Sequence, residues 1–383
     1  MIAAFLLAAI AIDLALIELA ARPSGFSRAL GPVHLRLHDP SALLIILAIL
    51  TGALVARGWH TRARGWALAV APVTTAIAAT AVTGHAERMF PLGDIAVIEL
   101  YVRTALEGRL LVGPYSRFGW HHPGPAYFYL LAPFYAVSDH ATASLAAGAA
   151  VIAMACIALL AWLAARTSGP RTAALLLLVT IALLARTPGL VVSAWNPHVV
   201  VLPAMVLIVA AAGAAGGDVA LLPLAALVAS FVAQTDVALV PLVFVVGIIA
   251  VLGALTATWG TNRYALLKAA NTAAWVVLAC WLVPAAEELT HSPGNLTRLW
   301  HFFVDARGTG QPLQAAAAAW ATMVAGVLRP TFDLAGGGLF EANGGSTAPL
   351  VAVVELCALA AVAWWAWSRD RSTARLALVS LAA

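Results

Sequence analysis

A chain of 383 residues with 63% hydrophobic and only 10% charged side chains is not a water-soluble globular domain, which carries about 25% charged residues. A mean hydropathy of +0.94 makes the membrane the main solvent, and the repeated alternation of a transmembrane barrel is missing from the sequence. The net charge of +4 comes from arginine, with Lys268 the single lysine. In so apolar a chain that charge reports topology and not nucleic-acid affinity.

In chain order, apolar runs fall at about 2–21, 41–56, 66–83, 141–165, 172–186, 198–214, 219–233, 237–256, 269–284 and 347–367. Several reach the ~20 residues that cross a bilayer. The expected architecture is an all-α, polytopic transmembrane bundle of about 10–11 spans, forming one domain over 1–383. Residues 2–21 lack a basic start and a small-residue cleavage site, so they read as a retained span. A last run begins near Ala374 and meets Ala383 with no polar flank, which predicts a longer natural protein. Alanine- and arginine-rich, lysine-poor usage predicts a bacterial inner membrane protein.

The short basic segments 56–65, 166–171, 261–268 and 368–375 are assigned to the cytoplasm. The intervening loops then face out: 84–140, 187–197, 234–236 and 285–346. Loop 22–40 must also face out, against the bias of Arg22, Arg28 and Arg36. The alanine-rich run 313–328 is too short to span comfortably and is expected as a helix in the outer interface. Cys156, Cys280 and Cys357 each lie alone in an apolar run, a pattern that offers neither disulfide nor metal site. No metal and no cofactor is expected. Asp13 and Glu355 lie within spans and read as protonated or hydrogen-bonded groups.

The outer loops gather the reactive residue types, and the first is the densest. In 91–135, Gly93-Asp94 precedes a helical pattern that runs to Gly108. Asp94 reads either as a helix N-cap or as a functional carboxylate. Glu99 and Arg103, four apart, read either as a surface ion pair or as part of a site. The stretch "GPYSRFGWHHPGP" (113–125) follows, with Arg117, His121 and His122 set among glycines, prolines and rings. Its irregular backbone and planar guanidinium suit an anion. The segment "AYFYLLAPFY" (126–135) is expected as a second interfacial helix. Later loops add Trp195, Asn196 and His198 in "SAWNPH", Gln234 and Asp236 in "AQTD", and Asn295 and Arg298 after "VPAAEELTHSPG".

These motifs resemble the GT-C class of membrane glycosyltransferases, which includes protein O-mannosyltransferases and the aminoarabinose transferases of lipid A. The likeness covers about residues 66–303. It rests on an acid at the start of the first large outer loop, an interfacial helix bearing an acid and an arginine, the "HHPGP" turn and the tyrosine-rich helix. Ile95 stands where many relatives carry a second acid. The resemblance implies transfer of a sugar from a polyprenyl-phosphate donor to a cell-envelope glycan, lipid or protein on the outer face, with inversion. Asp94 is then the general base, with Glu99 beside it as a catalytic candidate. Arg103, Arg117, His121, His122, Trp195, Asn196, His198, Gln234, Asp236, Asn295 and Arg298 are then the donor and substrate contacts. A transporter or flippase of a polar lipid is the alternative, and it calls for polar groups on both faces.

Overall fold

The structure is a computed structural model that describes residues 26–30, 33–37, 91–138, 140–305, 312–326 and 348–369, with scattered helical positions in 6–17 and 43–50. The expected span 66–83 and the basic segments 56–65 and 370–375 lie outside the described residues, as does the terminal run from Ala374. At the scattered positions Leu6, Ile10, Asp13 and Ile17 are buried while Ile12 is exposed. That spacing is one face of a helix.

The chain forms two compact units. The first comprises 1–114, 125–206 and 234–236, and the second comprises 115–124, 207–233 and 237–383.

The first unit opens with an antiparallel hairpin, β1 (Phe26–Leu30) and β2 (Val33–Leu37), in the register Phe26 to Leu37 and Leu30 to Val33. It lies inside the segment read as loop 22–40, and the fold is otherwise all-α as expected. Helix α1 (Asp94–Leu106) follows. It buries Ile98, Glu99, Val102 and Ala105 on one stripe, as an amphipathic helix does. Asp94 in its first turn and Arg103 in its last complement the helix dipole. Helix α2 (Ala126–Val137) buries Tyr127, Leu131 and Tyr135, spaced by four. It lies against α3 (Ser144–Ser168), where a side chain at Gly148 would strike Leu131 and Phe134. At Gly169 (φ 89) the chain turns into α4 (Pro170–Arg186), opened by Pro170 in the first turn of the helix. The short α5 (Asn196–Val199) leads into α6 (Val201–Ala215), which passes from this unit into the second at residue 206.

In the second unit a 3₁₀ turn leads to α7 (Leu222–Thr235), then to α8 (Val240–Thr290). A straight helix of 51 residues would separate its ends by about 75 Å. Yet Val237 before it bonds His122, and Asn295 after it bonds His121 and His122. Helix α8 therefore doubles back. The reversal lies at Asn262 (φ −152, ψ 62), whose side chain caps the second half by accepting the Ala265 N–H at 3.1 Å. Two spans joined at 261–268 are what the sequence pattern implies, although the connection is one residue and not a loop. Gly253 lets the first half close directly on the backbone of Ala215. Trp281 in the second half donates to Ser230 of α7 at 3.2 Å.

Helices α9 (Asn295–Asp305), α10 (Leu313–Gly326) and α11 (Ala348–Arg369) complete the described chain. Helix α10 matches the short helix expected at 313–328, and α9 is a further helix in the segment read as loop. Among the described residues, three helical stretches are long and apolar enough to cross a membrane: Ser144–Ser168, Asn196–Ala215 and Val237–Thr290. The protein is an α-helical, membrane-associated chain.

Candidate functional site

In the first unit the candidate residues form two neighbouring groups. Glu99 is the centre of one. It is only 5% exposed, not the open surface partner its spacing to Arg103 allowed. Its Oε1 accepts from Arg103 at 2.6 Å and from the Tyr135 hydroxyl at 2.7 Å, and its Oε2 accepts from Thr142 at 2.6 Å. Burial pushes this carboxyl up, but the bonds from Thr142, Tyr135 and Arg103 outweigh it and hold Glu99 below its usual range. Arg103 also donates from Nε to Tyr135 at 2.7 Å and lies over the same ring. The cluster ties α1 to α2 and to the segment before α3.

Asp94 belongs to the other group. The N-cap of α1 is Gly93 (φ 56), so Asp94 occupies the first helical position and caps nothing with its side chain. It is exposed, and its Oδ2 accepts from the Trp195 indole N–H at 2.8 Å. Trp195 meets the His198 ring edge-on at 4.8 Å, and His198 Nδ1 lies 2.8 Å from the Ser193 hydroxyl. Asn196 is buried and donates to the Thr235 carbonyl at 3.3 Å. Gln234 and Asp236, on either side of Thr235, are buried. Fully buried Tyr127 donates to the Ala194 carbonyl at 2.6 Å. Asp94, Trp195, Asn196 and His198 are thus brought to one end of this unit, with the Gly169 turn at the other end of α3.

In the second unit, "YSRFGWH" is a small hairpin. Tyr115 pairs with His121, Ser116 N–H donates to the Trp120 carbonyl at 3.1 Å, and Gly119 (φ 85) turns the tip. Arg117 and Phe118 are exposed there, the guanidinium 5.2 Å from the ring centre. Trp120 is buried against Phe118, Phe302 and Phe303.

Asn295 braces the hairpin from below. Its Oδ1 accepts the His121 N–H at 2.7 Å, and its Nδ2 donates to the carbonyls of His121 at 3.0 Å and His122 at 3.3 Å. Its own N–H donates to Glu287 at 2.7 Å. Glu288 accepts from the N–H groups of Leu296 and Thr297, so the two glutamates together cap α9. His122 accepts the Val237 N–H on Nδ1 at 2.9 Å, which leaves Nε2 to carry the ring proton of the neutral imidazole. Burial, reinforced by Arg298 and opposed by Glu287, lowers the His121 pKa. Of the four cationic or imidazole candidates in this unit, Arg117 and Arg298 are the two guanidinium groups. Arg298 is exposed and donates to the Pro293 carbonyl at 3.2 Å.

Tyr135, Thr142, Tyr127 and Ser193 shape these groups and were not singled out by sequence reasoning. The tyrosines had a signal, since 127, 131 and 135 fall on one helical face. Among the described residues no cluster of three His, Cys, Asp or Glu side chains could hold a metal.

No family model, no curated protein and no solved structure matches the chain.

Proposed function

We propose that this chain is an integral membrane glycosyltransferase of the GT-C type. It would move a sugar from a polyprenyl-phosphate donor to a hydroxyl of a cell-envelope acceptor on the outer membrane face. The observation that carries the reading is Asp94. An exposed carboxylate with one oxygen held by an indole N–H, at the end of an apolar helical unit, is equipped to take a proton.

The step needs no cofactor. The acceptor oxygen attacks the anomeric carbon as its proton passes to the free oxygen of Asp94. The bond from that carbon to the phosphate oxygen breaks, its electron pair leaves with the polyprenyl phosphate, and one displacement inverts the centre. Within the second unit, described by itself, the exposed guanidinium groups of Arg117 and Arg298 suit a phosphate. The Glu99 cluster sets the frame of α1 on which Asp94 stands.

Asp94→Asn tests the reading. The protein should fold and insert as wild type, because a residue at the first helical position with no side-chain cap bond adds only about 0.3–1 kcal/mol through the helix dipole. Transfer from a radiolabelled polyprenyl-phosphate sugar to a membrane extract should fall by about 10²–10⁴-fold. Transfer near the wild-type rate would remove Asp94 from the chemistry.

A further inference from the structure

We infer that Trp195 is a positioning residue: its indole N–H fixes the Asp94 carboxylate on Oδ2 and leaves Oδ1 as the oxygen that faces an incoming hydroxyl. How the carboxylate is held stands on geometry alone. What the held carboxylate does rests on the transferase reading.

Contact alone would not suffice, because a tryptophan that is only partly buried is free to turn away. Segment 193–198 removes that freedom. Its backbone is anchored at Ala194 by the hydroxyl of Tyr127, which is fully buried. It is anchored at Asn196 by the bond to the Thr235 carbonyl. Trp195 N–H reaches the Ser193 hydroxyl at 3.3 Å, and the same hydroxyl lies 2.8 Å from His198 Nδ1. His198 in turn lies edge-on to the indole at 4.8 Å. Pro197 at the start of α5 fixes a further backbone angle. Anchors on both sides and a ring against its own ring hold the indole in one orientation.

The carboxylate end is held less completely. Asp94 is at the first position of α1, and the glycine before it adopts φ 56. Nothing in its own helix bonds its side chain. The bond from Trp195, 101 residues away in sequence, is what selects one rotamer. Holding a base in its reactive geometry is worth much in rate, since a misplacement of ~1 Å costs up to about 10²-fold.

The experiment replaces Trp195 in the full-length protein with 3-benzothienylalanine, which keeps the bicycle and exchanges the N–H for sulfur. Trp195→Phe is made alongside. The first readout needs no activity: the rate at which a water-soluble carbodiimide and an amine label Asp94, followed by peptide mass spectrometry. Freed from the indole, Asp94 should label severalfold faster in both variants. The second readout is transfer from a polyprenyl-phosphate sugar, where kcat should fall about 10- to 100-fold with KM for the donor unchanged.

An unchanged labelling rate in a benzothienyl variant that melts like wild type overturns the inference. So does a raised KM with normal kcat, which would make the indole a substrate contact. Faster labelling in a protein whose wild type transfers no lipid-linked sugar would leave the positioning intact and defeat the transferase reading.

Discussion

Asn295 grips the backbone of His121 on both sides, accepting its N–H at 2.7 Å and donating to its carbonyl at 3.0 Å across 174 residues of sequence. The amide serves the hairpin at 115–121 as a neighbouring strand would. It is itself buried and tied to Glu287. Asn295→Leu should therefore lower stability by about 1–3 kcal/mol for each buried backbone group it leaves unpaired. Asn295→Asp should also destabilise, because it keeps the acceptor for His121 N–H but sets a buried carboxylate against the carbonyls of His121 and His122. Thermal unfolding in detergent reads both. Equal melting of Leu and wild type would mean the brace carries no load.

Glu99→Gln should destabilise the first unit by about 1–3 kcal/mol, since an amide cannot accept from Arg103, Tyr135 and Thr142 together. Its pH dependence has a definite sign. The folded pKa of Glu99 lies below its ordinary value of 4.5. The stability it contributes is thus complete above that value and is lost as pH falls through the lower folded one. Wild type should melt well above Glu99→Gln at neutral pH, and the gap should narrow below about pH 4.5. A gap that is constant with pH would assign the loss to packing.

The reversal at Asn262 puts residue 264 and residue 289 at opposite ends of a hairpin. Tyr264 and Leu289 are 77% and 86% exposed, so both accept a reporter. With Cys156, Cys280 and Cys357 replaced by alanine, Leu289→Cys should react with an impermeant maleimide in intact cells. Tyr264→Cys should react only after permeabilisation. Reaction of both from one side would rule out the hairpin.

Composition and arginine placement made the apolar helices legible, and with them the two limbs of α8, the helices α1 and α2, and the short α10. The nature of Glu99 was not legible. An acid and an arginine four apart read the same whether exposed or buried, and what buries this pair arrives from Tyr135 and Thr142, 36 and 43 residues on. Helix α9 was missed because its caps, Glu287 and Glu288, reach across eight and nine residues from the preceding helix. The β1–β2 hairpin was missed because arginines, serine and Gly31-Pro32 read as loop. The alternation in "VHLRL" was the available signal. Asp94 has two readings in sequence; the backbone gives the cap position to Gly93 and sets Asp94 at the first helical position.

Four cationic or imidazole groups were candidates around the 113–125 stretch and α9: Arg117, His121, His122 and Arg298. The imidazoles are the weaker pair. His121 has its pKa lowered by burial, and His122 spends Nδ1 on Val237. Arg117 is held at a hairpin tip over Phe118, and Arg298 has its Nε on Pro293, which orients the fork. On the proposed reading, Arg117→Ala and Arg298→Ala should each weaken binding of a polyprenyl monophosphate by about 10- to 100-fold, the worth of a charge-assisted hydrogen bond. Arg117→Lys should fall between, since it keeps the charge and loses the planar fork. His121→Gln should bind nearly as wild type. Both arginines are exposed, so the losses should shrink at high salt. Binding is read by thermal shift of the purified protein against polyprenyl monophosphate at low and high salt. Wild-type affinity in both arginine variants would exclude this surface as the phosphate site, and a loss confined to His121→Gln would return the role to the imidazole.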